Sequence, residues 1–92
     1  MSMPILNLIG TEEPATTGSG TASTVSSARI VRCHNTDSTT AHLVTLEQTD
    51  GTDIGTATLA AGETLLIHKD KTDQIFAADA AVLLAPVTIY QG

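Results

Sequence analysis

Aromatic residues are scarce in this chain of 92 residues, which contains no tryptophan, one phenylalanine and one tyrosine. Surfaces that bind carbohydrate usually present aromatic platforms, so Phe76 and Tyr90 alone disfavour a sugar-binding or adhesion module, although that alternative stays open. The core must be built from small aliphatic side chains, which bury limited area in so short a chain, at roughly 25 cal/mol per Å². Such a domain gains stability when a partner covers its apolar surface, so we expect a homo-oligomer.

The chain has a single cysteine, Cys33, and therefore forms no internal disulfide. Small secreted domains usually rely on several disulfides, so this composition favours folding in a reducing cytoplasm. Residues 1–14 lack a basic region, and their apolar stretch is too short for a signal peptide or a membrane span. The sequence predicts a soluble protein that is made in the cytoplasm.

Basic residues are also few: four lysines and arginines stand against ten acidic residues, and the formal net charge is −6. Binding to nucleic acid needs clustered lysine and arginine that displace counterions from the phosphates. Binding to an anionic membrane surface needs the same kind of charge. We therefore expect neither nucleic acid nor a membrane as a partner.

Catalytic and metal-binding patterns are missing as well. A structural zinc site needs four ligands at recognisable spacing, and a nucleophile needs a base and an oxyanion site within a cleft. Gly18 and Gly20 lack the following Lys-Ser/Thr of a phosphate loop. We predict no catalytic residue, no metal and no cofactor, and hence a protein that is not an enzyme. The one cluster with suitable residue types is weak for either role: Cys33, His34, Asp37 and His42.

The clearest positive signal is the stretch from Thr40 to Lys69. It reads TTAHLVTLEQT, DG, TDIGTATL, AAG and ETLLIHK, with apolar and polar residues alternating between two glycine turns. This period of two, with many β-branched residues, predicts three half-buried antiparallel strands, and Asp50-Gly51 is typical of a type I′ turn.

The assumed loops also set a register, with ARIVRCHN (residues 28–35) as the strand before the meander. The predicted pairs are Val31–Val44, Cys33–His42, Val44–Ala57, Leu46–Gly55, Ala57–Leu65 and Gly55–Ile67. One face of the sheet then collects the predicted core: Val31, Cys33, Val44, Leu46, Ala57, Leu59, Leu65 and Ile67.

The two ends of the chain carry the other apolar segments. Residues 1–24 predict an apolar arm, PILNLI, on a strap rich in Thr, Ser and Gly, and residues 25–92 predict the folded domain. Two alternatives stay open for the arm: a first strand joined to its own sheet, or a strand that docks onto a neighbouring subunit.

Residues 75–78 predict a short irregular or 3₁₀ segment, and residues 81–90 predict the last strand. Pro86 cannot donate a ladder hydrogen bond and marks an edge, a bulge or a bend of that strand. The whole pattern predicts an all-β fold, a small antiparallel β-sandwich or barrel of about six or seven strands with an N-terminal apolar arm. We predict that the two ends make the subunit contacts, through Ile5, Leu6, Leu8, Ile9, Pro86, Val87, Ile89 and Tyr90.

Several segments together carry a resemblance to a known group of proteins. They are LNLIG, the Thr/Ser-rich strap, RIVRCHNTDSTTAHLVTL, DGTDIGTATLAAGETLLIHK and the ending KTDQIFA…VLLAPVTIY. With these segments the chain resembles the small virion structural proteins of short-tailed marine bacteriophages, over essentially its whole length. The shared patterns are patterns of fold, such as the AAGE turn before an apolar strand and the closing A-P-V strand.

The resemblance implies a capsid decoration (cement) protein, which binds between subunits of the major capsid protein, often as a trimer or dimer. Such a protein is made in the host bacterial cytoplasm, resides in the virion, and holds the shell against the pressure of the packaged DNA. An accessory protein of the neck or tail of the same virion is the alternative that the resemblance leaves open.

Overall fold

The computed structural model describes residues 5–90, which form eight β-strands and one turn of 3₁₀ helix (Ser19–Thr21). All strand pairs are antiparallel, which confirms the predicted all-β class. The strands are β1 (Ile5–Leu8), β2 (Glu13–Pro14), β3 (Ile30–Asn35), β4 (His42–Glu47), β5 (Asp53–Leu59), β6 (Thr64–His68), β7 (Gln74–Ala77) and β8 (Val82–Tyr90).

The strands form two sheets that face each other as a small sandwich. The larger sheet has the order β1–β8–β3–β6, with β2 also paired to β8, and the smaller sheet has the order β5–β4–β7. Side chains alternate between the two faces of each strand, and the inward-facing ones of both sheets form one core. Its fully buried members include Val31, Cys33, Val44, Leu59, Ile75, Ala77 and Val82.

The predicted register is confirmed for one hairpin and is wrong for two other strand pairs. Val44 pairs with Ala57 and Leu46 with Gly55, as the sequence predicts. β3, however, pairs with β6 and β8 rather than with β4, and β5 does not pair with β6. The loops at 36–41 and 60–63 carry the chain from one sheet to the other, so the predicted partners lie in different sheets.

The Asp50-Gly51 turn also differs from the prediction. A type I′ turn needs positive φ at both central residues, but Gly51 has φ +90° and Asp50 is not among the residues with positive φ. The Gly51 N–H donates to the Gln48 carbonyl at 2.9 Å, and the Gln48 N–H donates to the Thr52 carbonyl at 2.8 Å, so the strands are joined by a three-residue loop at 49–51 and not by a two-residue turn. Ile54 is then an extra, bulged residue in β5, and this bulge restores the predicted pairing beyond it.

The segment predicted as an arm and a strap belongs to the sandwich over residues 5–24. β1 and β2 pair with β8 of the same chain, which is the first of the two alternatives left open for the arm. Further along, the Ala15 N–H donates to the Val82 carbonyl at 2.8 Å, and Ser23 exchanges backbone hydrogen bonds with Ile75 at 3.0 and 2.8 Å. The segment therefore crosses from the larger sheet to the smaller one and covers that side of the sandwich.

A left-handed turn follows this segment. Val25, Ser26 and Ser27 have φ values of 52°, 57° and 57°. Each costs about 1–2 kcal/mol relative to a right-handed conformation, and a β-branched residue is rare there. The Val25 N–H donates to the Ser23 hydroxyl at 2.9 Å, and the Val25 side chain is buried in the core. These contacts offset the strain and turn the chain into β3.

The C-terminal third contains one correction and one confirmation. The segment predicted as irregular or 3₁₀ at 75–78 is instead strand β7, because its backbone pairs with β4 on one side. The last strand is present as β8, and Pro86 lies opposite a bulge: residues 9–12 face only Ala85 and Pro86. The Pro86 carbonyl accepts from the Ile9 N–H at 3.2 Å. The N–H and the C=O of one residue point to the same side of an antiparallel strand, so the N–H that Pro86 lacks would also face this bulge.

Candidate interaction surface

The outer face of the larger sheet, which points away from the smaller sheet, is unusually apolar. The core takes Val31 and Cys33 of β3, so the residues that alternate with them point outward. Reading the register across the sheet gives the outward-facing apolar set: Leu6, Leu8, Ile30, Leu66, Leu83, Ala85, Val87 and Ile89. Leu8 is 74% exposed, and Leu66 and Ile89 are 38% and 39% exposed. Contiguous apolar surface of this kind typically marks a contact site.

The two ends of the chain meet in what we call the terminal ribbon, formed by Ile5–Leu8 and 87–90. In it Ile5 pairs with Tyr90, and Leu6 with Ile89. β3 pairs with β8 only as far as Val87, so the last three residues of β8 pair with β1 alone. The ribbon thus extends beyond the sheet and exposes large apolar side chains on both faces, because Ile5 and Tyr90, with Asn7 and Thr88, lie on the face opposite to that of Leu6 and Ile89.

The structure brings all eight sequence-predicted contact residues to this ribbon and the bulge beside it. Ile5, Leu8, Ile9, Ile89 and Tyr90 are exposed, and Leu6 is half-buried. The other two, Pro86 and Val87, are buried within the chain. β8 lies inside the sheet, between β1 and β3, so neighbouring side chains cover its middle.

A shallow depression lies next to the ribbon on the outer face. Its volume is about 300 Å³, and it is lined by Leu8, Gly10, Glu12, Arg32 and Ala85. Arg32 Nη1 donates to Glu12 Oε2 at 2.9 Å across this depression. An exposed ion pair contributes only about 0–1 kcal/mol to stability. Its effect here is to give an otherwise apolar depression a fixed polar rim.

Sequence reasoning missed several parts of this surface: Ile30, Leu66, Leu83, Ala85 and the Arg32–Glu12 pair. The signal for Leu66 was present, because it alternates with Leu65 and Ile67, which were assigned to the core. The ion pair joins residues 20 positions apart in the chain, and no local pattern predicts such a contact.

The fold separates Cys33 from the other residues weighed for metal binding or nucleophilic catalysis, although Asp37 and His42 lie close together. Cys33 is fully buried in β3, and burial raises the pKa of its thiol to about 12. His42 lies in the other sheet and not opposite Cys33 as predicted, and His34 points to the other face of β3, with Nδ1 2.8 Å from the Thr64 hydroxyl. Among residues 5–90 no three His, Cys, Asp or Glu side chains are grouped as ion ligands.

Asp37 organises the loop between β3 and β4. Its carboxylate accepts from the backbone N–H groups of Thr39 and Thr40 at 3.0 and 3.2 Å, and it lies 3.2 Å from His42 Nε2. The Thr39 N–H, followed by the His42 ring, lowers the pKa of the Asp37 carboxyl. Donors that bind the charged form explain this direction.

A buried carboxylate lies beneath the 3₁₀ turn. Glu47 is 0% exposed, and its Oε2 accepts from the Ser19 hydroxyl at 2.8 Å. Its Oε1 has no hydrogen-bond partner within the described residues. A buried charge with so few partners is costly, so the Ser19 hydroxyl contributes more than an ordinary surface hydrogen bond.

We expect Ser19→Ala to lower the free energy of unfolding by about 1–3 kcal/mol, because the carboxylate then loses that partner. In a Glu47→Gln background the same Ser19→Ala change should cost less, about 0.5–1.5 kcal/mol, because the amide is uncharged. Urea denaturation of the four proteins gives the coupling between the two residues. Equal losses in both backgrounds would contradict this account of the buried carboxylate.

Comparison with protein-family models, with curated proteins and with solved structures finds no match to this chain. Within residues 5–90 no helix has the length and apolar character to cross a membrane. Fold and surface together define a small antiparallel β-sandwich in which most of the exposed large apolar residues, all except Leu43 and Ile54, gather on one sheet face and the ribbon and bulge beside it.

Proposed function

We propose that this chain is a non-enzymatic structural protein of a phage virion, and specifically a capsid decoration (cement) protein that binds and stabilises the head shell. The observation that carries the proposal is the terminal ribbon with the adjoining outer face. There an acidic domain exposes Ile5, Leu8, Ile9, Ile89 and Tyr90 together. The resemblance of the sequence to small virion proteins supports the same role.

The surface suits a partner whose own contact surface is apolar and which is present in many identical copies. Each large aliphatic side chain contributes about 1.5–3 kcal/mol when it is fully buried, so one contact of this size binds weakly. On a shell the partner, the major capsid protein, is present in many symmetric copies, and a dimer or trimer binds several of them at once. Multivalence then converts weak contacts into firm attachment.

The charge of the chain favours the outer surface of such a shell. With ten acidic and four basic residues, the protein has few positive charges with which to bind the phosphates of packaged DNA. An acidic, disulfide-free domain is also compatible with synthesis in the bacterial cytoplasm before assembly.

The experiment that tests the proposal is to locate and count the chain in purified particles of the encoding phage, by cryo-electron microscopy and quantitative mass spectrometry. A decoration protein is expected in a symmetric array on the head, at copy numbers on the order of hundreds. A dozen or fewer copies at one vertex would instead favour the neck or tail accessory protein. Particles that lack the chain altogether would refute both roles.

A further inference from the structure

The side of the sandwich away from the 13–24 segment is open. β5 is the outermost strand of the smaller sheet and β6 that of the larger one, and within the described residues each pairs with a single neighbour. One backbone edge of each strand therefore has donors and acceptors without a strand partner. Such edges are templates for pairing with another chain.

Between these two edges the core is incompletely covered. A groove of about 190 Å³ opens there, and its lining is almost wholly apolar. Gly55 leaves room in it, since an added Cβ would meet nothing within 4 Å. The lining residues are Val44, Leu46, Gly55, Thr56, Ala57, Leu65 and Ile67.

The edges lack most of the devices that normally prevent association. Natural edge strands carry lysine, proline or inward-pointing charges. β6 reads TLLIH and β5 reads DIGTATL, so neither contains lysine, arginine or proline. β5 has the Ile54 bulge near one end, whereas β6 is regular, and Leu66 at its centre is 38% exposed.

We propose that a second copy of this chain occupies the open side, with β6 pairing antiparallel to β6 of the other copy about a two-fold axis at Leu66. In that register Leu66 lies opposite its own copy, Leu65 lies opposite Ile67 of the second copy, and Thr64 lies opposite His68 of the second copy. An antiparallel pair of identical strands always has such an axis, so the contact is self-complementary and closed.

The same axis explains the groove. A two-fold axis normal to the sheets brings β5 beside its own copy as well, so both sheets continue into the second molecule. Leu65 and Ile67 are half-buried in one chain. In the dimer each of them packs against the other residue of the second copy, and together they complete the core. Cross-strand aliphatic pairs of this kind stabilise a sheet.

Charge also favours a second copy as the occupant. Each chain has a formal charge of −6, which opposes association of most of its surface, but β6 itself contains no acidic or basic residue apart from His68. Glu63 precedes the strand, and Lys69, which is buried in its own chain, follows it, so the two-fold register sets no exposed like charges opposite each other. The groove lining contains no charged residue, so it offers no complement to an acidic or basic peptide.

This inference deepens the homo-oligomer included in the proposed function, yet its test uses the full-length protein without capsids, so each can fail while the other stands. We expect analytical ultracentrifugation to give a mass of two 9.5 kDa chains. Leu66→Lys sets like charges face to face on the axis and is expected to weaken dimerisation at least about tenfold. Leu43→Lys is the matched control, because Leu43 is also exposed but lies on the central strand β4, and this variant should remain dimeric.

A covalent trap tests the register itself. Residues directly opposite each other in an antiparallel pair are close enough for a disulfide. Oxidised Leu66→Cys is expected to form a covalent dimer and Leu43→Cys to stay monomeric on a denaturing gel, while Cys33 stays unreacted because it is buried. A monomeric or trimeric mass for the native chain, or equal cross-linking of the two variants, would overturn the proposal.

Discussion

Replacing Asn35 by aspartate is expected to lower the free energy of unfolding by about 3–5 kcal/mol, a large part of the roughly 5–15 kcal/mol available to a small domain. Asn35 is 0% exposed, and its side-chain amide donates to the carbonyls of Thr40, Leu59 and Ala60 at 2.9, 3.1 and 3.3 Å. Aspartate has the same shape but no N–H, so three carbonyl oxygens would face a carboxylate oxygen.

The position of this amide explains why the effect should be so large. Thr40 lies in one of the loops that cross between the sheets, at 36–41, and Ala60 begins another, at 60–63. Asn35 Oδ1 also accepts from the Asp37 N–H at 3.0 Å, within the first loop. One side chain is thus hydrogen-bonded to both of these loops, and its loss is expected to destabilise both sheets.

Urea denaturation followed by circular dichroism measures the loss, and Asn7→Asp is the control. Asn7→Asp is the same chemical change on the exposed strand β1, and it should alter the free energy of unfolding by less than about 0.5 kcal/mol. In the Asn35→Asp protein, folding favours the neutral acid and raises its pKa above the unfolded value. The penalty should therefore be small below about pH 4 and grow as the pH rises. A pH-independent loss, or one equal to that of Asn7→Asp, would contradict the assignment.

Replacing Leu8 by aspartate is expected to weaken the proposed attachment to the head shell by about 10- to 100-fold, while the sandwich stays folded. Leu8 is 74% exposed on the terminal ribbon, so the isolated chain loses little when it is changed. A fully buried leucine contributes about 1.5–3 kcal/mol to a contact, and about 1.4 kcal/mol corresponds to a factor of ten in affinity. An aspartate at the same point would add the cost of burying a charge.

Cosedimentation of the purified variants with shells that lack the protein measures this effect. Leu43→Asp is the matched control, because Leu43 is 42% exposed on the smaller sheet, away from the ribbon and the outer face. The two variants carry the same added charge, so only the site differs. If Leu43→Asp lost binding and Leu8→Asp did not, the contact surface would lie on the other sheet.

The location of the candidate surface followed from the sequence in part. The apolar ends at residues 5–9 and 86–90 were recognisable because each is the most hydrophobic segment near its terminus. That the two ends pair with each other, Ile5 with Tyr90 and Leu6 with Ile89, depends on a contact that spans nearly the whole chain. The burial of Pro86 and Val87 depends on the same pairing, because it places β8 inside the sheet.

The sequence by itself determined that the chain is all β, that Val31, Cys33, Val44 and Leu59 belong to the core, and that Val44 pairs with Ala57, because alternation and a short glycine loop act locally. Only the tertiary structure decided which strands share a sheet. Alternation reports that one face of a strand is buried, and that face is buried equally well beside a neighbour or across a sandwich. Long-range contacts decide which strands share a sheet. The most important are the hydrogen bonds from the buried Asn35 amide to the two loops at 36–41 and 60–63.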